Sequence, residues 1–443
     1  MAPNSDSQTT EKKQISFPHL QYPATRDYQP TGWNWLEGKR LHDGAENLWR
    51  IQDSLYDLTD FVQIHPGGTQ WITFTKGTDI TEAFEIHHLK GIAQDILPKY
   101  FVRKTNAPSN SPFTFHEDGF YKTLKLKVIE KLKEIPKDVR KQSDYITDGL
   151  LAAFIISTSL SCWMMKTNIL IGLSLILTSS YLLSCITACS HNYFHRRDNW
   201  RMYLFNLIGF TYKEWRISHA ISHHIHTNTA QDLELTLFEP FLIYMPYETK
   251  SFIAKLGTVY WPIIYLFTTM KLFVMEFGYI LTRQPGAHLT WSHFIPFLML
   301  TWMWQFGGLP LHWTFLVWFA TITVGSFIFI VYAITAGHHR DDNFFEGDKP
   351  KGEYRDWGLH QLDVIVDREE NLGFFKSLTQ FGHHYLHHFF PTLDDAELNY
   401  LYPLLYEHCE EFGAKVRTTT FSEAFTSQIK QITRTTPHDF KSM

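Results

Sequence analysis

Histidines at helical spacing recur at three places in this chain, and the pattern is typical of a metal site. Each place holds two or more histidines that stand four residues apart. On a helix, positions i and i+4 share one face, so two such imidazoles can reach the same ion. Imidazole binds iron, zinc, copper and nickel, so the residue type alone leaves the metal open. The three boxes are His191 and His195; His219, His223 and His224; and His384, His387 and His388.

A fourth pair adds to this set, which already exceeds what one ion can hold. His338 and His339 follow the last long apolar stretch, and we expect His338, with His339 as the alternative, to join the boxes. Few acidic residues lie inside the boxes, so the ligands are almost all imidazoles. More than six such ligands exceed the usual coordination number of one ion, which predicts two metal ions. The remaining candidates are weaker: His226 and His383 as extra ligands, and His360 and His408 as structural histidines.

A different kind of site is indicated near the N-terminus. In His65-Pro66-Gly67-Gly68, proline fixes one φ angle and the glycines permit unusual backbone, so the loop can present an imidazole rigidly. A second imidazole follows at His87 or His88. The four-residue motif by itself is equally compatible with a surface turn, and its sequence context is what favours a binding site.

Two stretches without charge indicate the elements that position the boxes. Lys166 is the only Lys, Arg, Asp or Glu between residues 149 and 195, and none occurs from residue 284 to 339. A membrane helix needs about 20 apolar residues. We therefore predict four transmembrane helices, at about 149–165, 168–189, 292–308 and 312–335.

A fifth apolar stretch, 256–281, contains Lys271 and Glu276, which are costly in mid-span. We predict an interfacial helix there. Topology requires the same, because histidines that bind one centre must lie on one side of the bilayer. The first two boxes follow two crossings, so His338 must follow two more crossings and not three.

The N-terminal part of the chain is predicted to be soluble and to precede the membrane domain. We expect a disordered tail at 1–30, a compact domain at 31–104, a linker at 105–118 and the membrane domain at 119–443. The polar first 30 residues predict no cleavable signal peptide. A net charge of -5 gives no reason to expect nucleic acid, and four cysteines, three in apolar segments, argue against a disulfide framework.

Residues 31–104 resemble the cytochrome b5 haem-binding domain. The motifs are Asn47-Leu48-Trp49-Arg50-Ile51, the His65 loop, and Gly77-Thr78-Asp79-Ile80-Thr81-Glu82-Ala83-Phe84 before the second histidine. The resemblance implies an α+β fold and haem b held by His65 and by His88, four residues after Phe84, with His87 as the alternative. Two axial imidazoles leave no open position on the iron, so such a site carries electrons.

Residues 31–410 as a whole resemble membrane fatty-acyl desaturases with a fused cytochrome b5 domain. The resemblance implies an all-α polytopic membrane domain in which the three boxes and His338 hold two non-haem iron ions. It also implies O2 as co-substrate, an acyl-lipid or acyl-CoA substrate, NADH-dependent cytochrome b5 reductase as partner, and an endoplasmic reticulum membrane with termini and both redox sites in the cytosol. Carboxylates that could orient the imidazoles are Asp198, Asp232, Asp394 and Asp395.

One departure from the family pattern leaves alternatives open. Front-end desaturases, the usual fused type, mostly carry Gln where the third box here has His384, and Gln380-x-x-His383-His384 is a competing fit. We prefer His384, His387 and His388 because Phe-Phe-Pro follows them. The alternative functions are a fatty-acid or sphingolipid hydroxylase on the same scaffold, a non-catalytic haem-binding electron-transfer protein, and a zinc or copper transporter. A transporter would place its histidines within the spans.

Overall fold

The N-terminal domain is a small α+β unit. The computed structural model describes residues 15–21, 31–89, 91–247, 250–369 and 373–441. An antiparallel sheet, in the order β1-β2-β3, is formed by β1 (Trp49–Ile51), β2 (Ser54–Tyr56) and β3 (Phe101–Lys104). The helices of this domain are α1 (Gly32–His42), α2 (Thr69–Phe74), α3 (Thr81–His87) and α4 (Ile92–Ile96). Its own core contains Trp49, Leu58, Ile72 and Phe84, so the predicted α+β class is confirmed.

The remainder of the chain is mostly helical, as predicted. The start of the second long helix follows from one residue: Asn168 ends the preceding helix, and its side chain accepts a hydrogen bond from the Ile171 N–H at 3.3 Å. The helices are α5 (Phe120–Lys131), α6 (Arg140–Thr167), α7 (Ile169–Phe194), α8 (Tyr212–Trp215), α9 (His224–His226), α10 (Phe252–Lys255), α11 (Gly257–Leu281), α12 (Ile295–Gly307), α13 (Leu311–Ile334), α14 (Trp357–Val364), α15 (Gly373–Gln380), α16 (His384–Phe389), α17 (Asp395–Leu398), α18 (Tyr402–Glu411) and α19 (Phe421–Thr433).

Four described helices are long and apolar enough to cross a membrane: α6, α7, α11 and α13. Three of them coincide with predicted spans. The predicted span at 292–308 is instead the 13-residue helix α12, which at 1.5 Å per residue is only about 20 Å long. The helix is shorter than predicted because Trp291–Phe294, at the start of the predicted span, form a separate 3₁₀ turn.

The contacts of α11 nevertheless place both of its ends against segments that lie outside the long apolar helices. At its start, Gly257 lies against Leu242 and Ile432. Just beyond its end, Gly286 lies against Trp33 of the N-terminal domain. A helix that crossed the bilayer would have its ends on opposite sides. These contacts support an interfacial position for α11, which the length and composition of the helix do not decide.

The contacts of α12, in contrast, follow the direction of α6. Trp302 near its middle donates a hydrogen bond to Thr158 at 3.0 Å. At its end, Gly307 lies against Cys162 and Gly308 against the Lys166 ammonium. The helix thus ends beside the far end of α6, where α7 begins. A topology with α6, α7, α12 and α13 as paired crossings remains our prediction, and α12 would need the bilayer to thin around it.

Two predicted boundaries require correction. The predicted disordered tail includes residues 15–21, but Phe17 is buried and the Ser16 hydroxyl donates to the Asp348 carbonyl at 2.7 Å. Residues 1–14 and 22–30 of that tail lie outside the described part of the chain. The predicted linker 105–118 contains β4 (Phe113–Thr114), which pairs in parallel with β5 (Arg355–Asp356). Apolar burial and backbone pairing with distant segments order both stretches, which local composition does not reveal.

The membrane domain is also not entirely α-helical, since β4 and β5 pair as do β6 (Asp367–Arg368) and β7 (Thr418–Thr419). These two-residue pairs hold the loops after α13 in place. The N-terminal domain packs directly on the part of the membrane domain outside the long helices. There, Trp35 and Phe74 share a core with Tyr121 and Ile217. The two domains are therefore joined by a continuous apolar contact.

Candidate functional site: two histidine sites in contact

The first site lies between two short segments of the N-terminal domain. The His65 and His88 rings face each other with centres 6.1 Å apart. Each ring donates its Nδ1–H to a backbone carbonyl, His65 to Gly68 and His88 to Phe84, both at 2.9 Å. The two Nε2 atoms are therefore free to act as ligands.

The glycines of the His65 loop are explained by this geometry. Gly68 has φ +105°, which side chains rarely adopt. A Cβ on Gly67 would lie 2.8 Å from the His65 Cε1 atom. Two imidazoles on opposite sides of one ion, with bonds of about 2 Å, have ring centres about 6 Å apart. The His65–His88 spacing fits the axial positions of a haem.

His87 occupies a different environment from His88. Its Nδ1–H donates to the Ala83 carbonyl at 2.8 Å, and its ring centre lies 5.8 Å from that of Trp71. The His87 Nε2 atom is buried and has no hydrogen-bond partner within the described part of the chain. Burial lowers the pKa of both His87 and His88 to about 4, so both are neutral near pH 7. Of the two, only His88 faces His65.

The second site is built from the three boxes and from His338. Five of these histidines have ligand atoms that all lie within 4.8 Å of one another. The Nε2–Nε2 distances are 2.7 Å from His191 to His219, 3.1 Å from His191 to His195 and 3.2 Å from His191 to His387. We name this group cluster A: His191, His195, His219, His224 and His387.

The other predicted ligands form a second group. The ligand atoms of His223, His338 and His388 also lie within 4.8 Å of one another. His384 adjoins them, with its Nε2 2.5 Å from the His338 Nε2. We name these four residues cluster B. The two clusters touch through His224 and His388, whose rings stack with centres 4.0 Å apart, so two ions bound there would be neighbours.

A π-helix decides how the second box is divided between the clusters. Residues Arg216–His223 form this π-helix, and the His224 N–H donates to the His219 carbonyl, five residues back. His219 and His224 therefore share a face and both join cluster A, while His223 turns to cluster B. The predicted pairing of His219 and His223 stays a prediction: their ligand atoms and that of Glu234 lie within 4.8 Å of one another, close enough to share one ion.

Two carboxylates orient imidazoles of the clusters. The His223 Nδ1 donates to Asp232 at 2.9 Å, as predicted for that residue, and the His219 Nδ1 donates to Glu234 at 2.6 Å. Sequence reasoning missed Glu234. The available signal was its place two residues after Asp232, in the turn that follows the second box. Since a proton on Nδ1 leaves the Nε2 lone pair free, these contacts prepare both rings for metal binding.

The segment of His338 is held by backbone contacts. The Asn343 amide donates to the carbonyls of Gly337, His338 and Val364. Gly337 has φ +137°, and a Cβ there would lie 2.0 Å from the Val366 carbonyl oxygen. These restraints direct the His338 ring toward the other three histidines of cluster B. The alternative, His339, packs instead against the Tyr244 ring at 4.3 Å.

The pKa values of three cluster histidines fit metal binding, because their rings are neutral near pH 7. Burial, followed by the surrounding imidazoles, lowers the pKa of His195, His224 and His388 well below the usual value. His223 is the exception: burial opposes its protonation, but Asp232 and Glu234 outweigh burial and raise its pKa to about 9. Neutral nitrogens whose lone pairs converge at about 3 Å repel one another unless a cation lies among them. The residues therefore fit bound metal ions.

The remaining predicted residues lie outside the clusters. His383 pairs with Asp395 at 3.2 Å, which disfavours the competing box that contains Gln380 and His383. His226 packs near Phe113, while His360 and His408 each bond a backbone carbonyl. Asp198 pairs with Arg216, and Asp394 accepts from Asn192 and Arg196. Asp394 thus acts on the first box through its neighbours and not on an imidazole.

An apolar cavity opens beside the clusters. Its walls combine histidines of both clusters with aromatic and aliphatic side chains from residues 205–238, from α13 and from the loop before α16. The apolar lining residues are Phe205, Trp215, Leu237, Phe238, Phe329, Ile330, Ala333, Ile334 and Phe381. Such a lining suits an apolar ligand.

Comparison with known proteins then identifies the family. A model for fatty acid desaturases matches residues 167–420, and a model for cytochrome b5-like haem/steroid binding domains matches residues 36–106. The chain belongs to the fatty acid desaturase family. Family membership implies an oxidoreductase. The cytochrome b5-like domain implies haem, and the desaturase domain implies iron. The predicted resemblance to the cytochrome b5-fused desaturases is confirmed.

Similar proteins cover nearly the whole of this desaturase-family chain. The "Cytochrome b5-related protein" of Drosophila melanogaster is 41% identical over 92% of this chain and 93% of its own length. The "Probable Delta(5) fatty acid desaturase C" of Dictyostelium discoideum is 26% identical over 90% and 94%. The "Acyl-lipid (8-3)-desaturase" of Mortierella alpina is 22% identical over 90% and 96%. No solved structure matches the chain significantly.

Proposed function

We propose that this chain is a membrane-bound fatty-acyl desaturase that uses haem b, two iron ions and O2. The observation that carries the proposal is the convergence of nine histidines into two adjoining clusters beside an apolar cavity. Cluster A would hold one iron ion and cluster B the other. His65 and His88 would hold the haem. When bound, these groups supply single electrons and the O2 chemistry that removes two hydrogens from neighbouring carbons of an acyl chain.

The protein's own side chains have three roles in this reaction. Glu234 and Asp232 hold His219 and His223 in the tautomer whose Nε2 faces the ions. The walls of the cavity, Phe238 and Phe329 among them, bind and align the acyl chain. The same apolar walls exclude water, which limits side reactions at the metal.

The partners and location follow from this proposal. Electrons would come from NADH through cytochrome b5 reductase to the haem domain, and the substrate would be an acyl-lipid or acyl-CoA. The hairpin of α6 and α7 returns the chain to its starting side, which supports placing both sites on one face of the membrane. We propose that this face is cytosolic and that the membrane is the endoplasmic reticulum.

Product analysis tests the proposal. The full chain is expressed in a host of defined lipid composition, and acyl chains are analysed by gas chromatography and mass spectrometry. We expect a new double bond in the wild type and none in His65→Ala or His387→Ala. His383→Gln is the matched control, because His383 adjoins the third box but pairs with Asp395. This variant should retain the product.

Each other outcome has a distinct meaning. An inserted hydroxyl in place of a double bond would identify a hydroxylase on the same scaffold. A haem-loaded protein that holds well below two non-haem iron ions and forms no product would indicate a non-catalytic electron-transfer protein. If the product survives His387→Ala, the metal assignment is wrong.

A further inference from the structure

A buried arginine joins the haem domain to cluster A. Arg216 is fully buried and lies three residues before His219. Its Nε donates to the Phe194 carbonyl at 3.0 Å, and one terminal nitrogen donates to the Arg196 carbonyl at 3.1 Å. These two carbonyls flank His195. Arg216 therefore holds the backbone on both sides of one cluster A histidine.

The same guanidinium reaches into the haem domain. Its other terminal nitrogen donates to the Gln70 side-chain carbonyl at 2.7 Å. Its central carbon lies 4.9 Å from the centre of the Trp71 ring, within the range of a cation–π contact. Gln70 and Trp71 belong to α2, which starts directly after the His65 loop. One side chain thus bridges the two redox domains.

His87 completes this contact from the other haem segment. It neighbours His88 in sequence, and its ring packs near Trp71. Through Trp71, His87 adjoins the Arg216 guanidinium that holds the backbone on both sides of His195. The His87 Nε2 atom is buried and has no hydrogen-bond partner among the described residues, a costly arrangement that folding alone does not explain.

We infer that Trp71, His87 and Arg216 form the contact through which electrons pass from the haem to cluster A. This inference rests on the proposed function. Trp71 and His87 form the path, and Arg216 is a positioning residue that keeps α2 against the segment of His195. In each transfer one ferrous haem iron is oxidised to ferric and one ferric cluster iron is reduced to ferrous, with no proton moved. A fixed contact makes domain dissociation unnecessary in each cycle.

The experiment follows electron transfer from haem to cluster iron under argon, with the two electrons of each NADH passing through the haem one at a time. The full, metal-loaded chain in nanodiscs is mixed with limiting NADH and cytochrome b5 reductase, and haem absorbance is recorded over time. In the wild type the haem is reduced and then reoxidised as cluster iron accepts the electron. We expect Trp71→Leu and His87→Phe to slow this reoxidation about tenfold or more, with the haem spectrum, iron content and rate of haem reduction unchanged.

Two controls separate the possible failures. Trp33→Leu changes another aromatic residue of the same domain contact, one that packs on Gly286 and not on Arg216, and should leave the rate unchanged. His387→Ala sets the rate without a functional acceptor. If wild-type reoxidation equals that baseline, the proposed function fails. If the wild type is fast but Trp71→Leu and His87→Phe match it, only the present inference fails.

Amide hydrogen exchange tests the role of Arg216 without haem or metal. Arg216→Lys keeps the charge but cannot make the same set of planar contacts. We expect faster exchange over Thr69–Phe74 in the metal-free Arg216→Lys variant, and no change in His87→Phe. Unchanged exchange in Arg216→Lys would show that the arginine does not anchor α2, and would overturn its positioning role.

Discussion

The haem-type site and the metal clusters are both made of histidine, but the chain builds them in opposite ways. His65 and His88 lie in one small domain with its own core, and each donates its Nδ1–H to a carbonyl within its own segment. The cluster histidines come from separate helices and loops between residues 191 and 388. Their orientation depends on side chains outside the boxes, such as Glu234 and Asn343.

This difference bears on how each site fails. A site made from one short segment depends mainly on local backbone geometry. A site assembled from distant segments depends on every contact that holds those segments in register, so substitutions outside the ligands also affect it. The clusters should therefore be the more fragile of the two sites.

The largest expected effect is a complete and separate loss of each cofactor. His88→Ala should abolish the low-spin haem absorption spectrum and leave the non-haem iron in place, since the clusters contain no haem-domain ligand. His387→Ala should remove non-haem iron and leave the haem spectrum intact. Absorption spectroscopy and elemental analysis of the purified variants measure both. Loss of both cofactors in either variant would contradict the separation of the sites.

The next effect concerns the backbone that supports His338. A methyl group in Gly337→Ala would meet the Val366 carbonyl at a φ of +137°, at a cost of about 1–3 kcal/mol. We expect a lower unfolding temperature and less bound non-haem iron, with haem unaffected. Gly149→Ala is the control, because no other side chain of the described residues lies within 4 Å of its added Cβ. Equal iron contents in the two variants would disprove the supporting role of Gly337.

A smaller effect is expected from the carboxylate that orients His219. In Glu234→Gln, the loss of the charged acceptor should weaken iron binding about 10- to 100-fold. Competition with a chelator measures the change. Asp395→Asn alters a similar carboxylate–histidine pair outside the clusters and should retain wild-type affinity. If the two variants behave alike, Glu234 does not orient a ligand.

The smallest effect is a pH dependence at the contact between the two domains. Burial, and then the nearby Glu276, raise the pKa of Glu214 to about 8, and its carboxylate accepts from the Gly32 N–H. The folded state therefore keeps a proton that the unfolded state loses above about pH 4.5. The contribution to stability is full below that pH and is lost as the pH rises through about 8.

Thermal unfolding of the metal-free chain between pH 6 and pH 9 measures this dependence. We expect the unfolding temperature of the wild type to fall by a few degrees over that range. The neutral side chain of Glu214→Gln does not titrate, so this variant should show a flatter profile. Parallel profiles for the two proteins would contradict the assignment to Glu214.

The sequence predictions also differ between local features and features that depend on tertiary packing. The His65 loop is a local motif, and its proline and glycines already implied a rigid imidazole. The charge-free stretches revealed apolar helices because a bilayer selects for composition over about 20 residues. Composition did not reveal that 292–308 begins with a 3₁₀ turn, or that Phe17 in the N-terminal tail packs into the core.

The sequence by itself determined which histidines could bind metal, because box spacing and residue type are local properties. Only the tertiary structure decided how they divide into two clusters, since the π-helix at Arg216–His223 changes which residues share a face. Tertiary packing also brought His338 beside His384, placed Glu234 on His219, and brought Trp71 onto Arg216. These contacts join residues far apart in the chain, and no local pattern encodes their distance or direction.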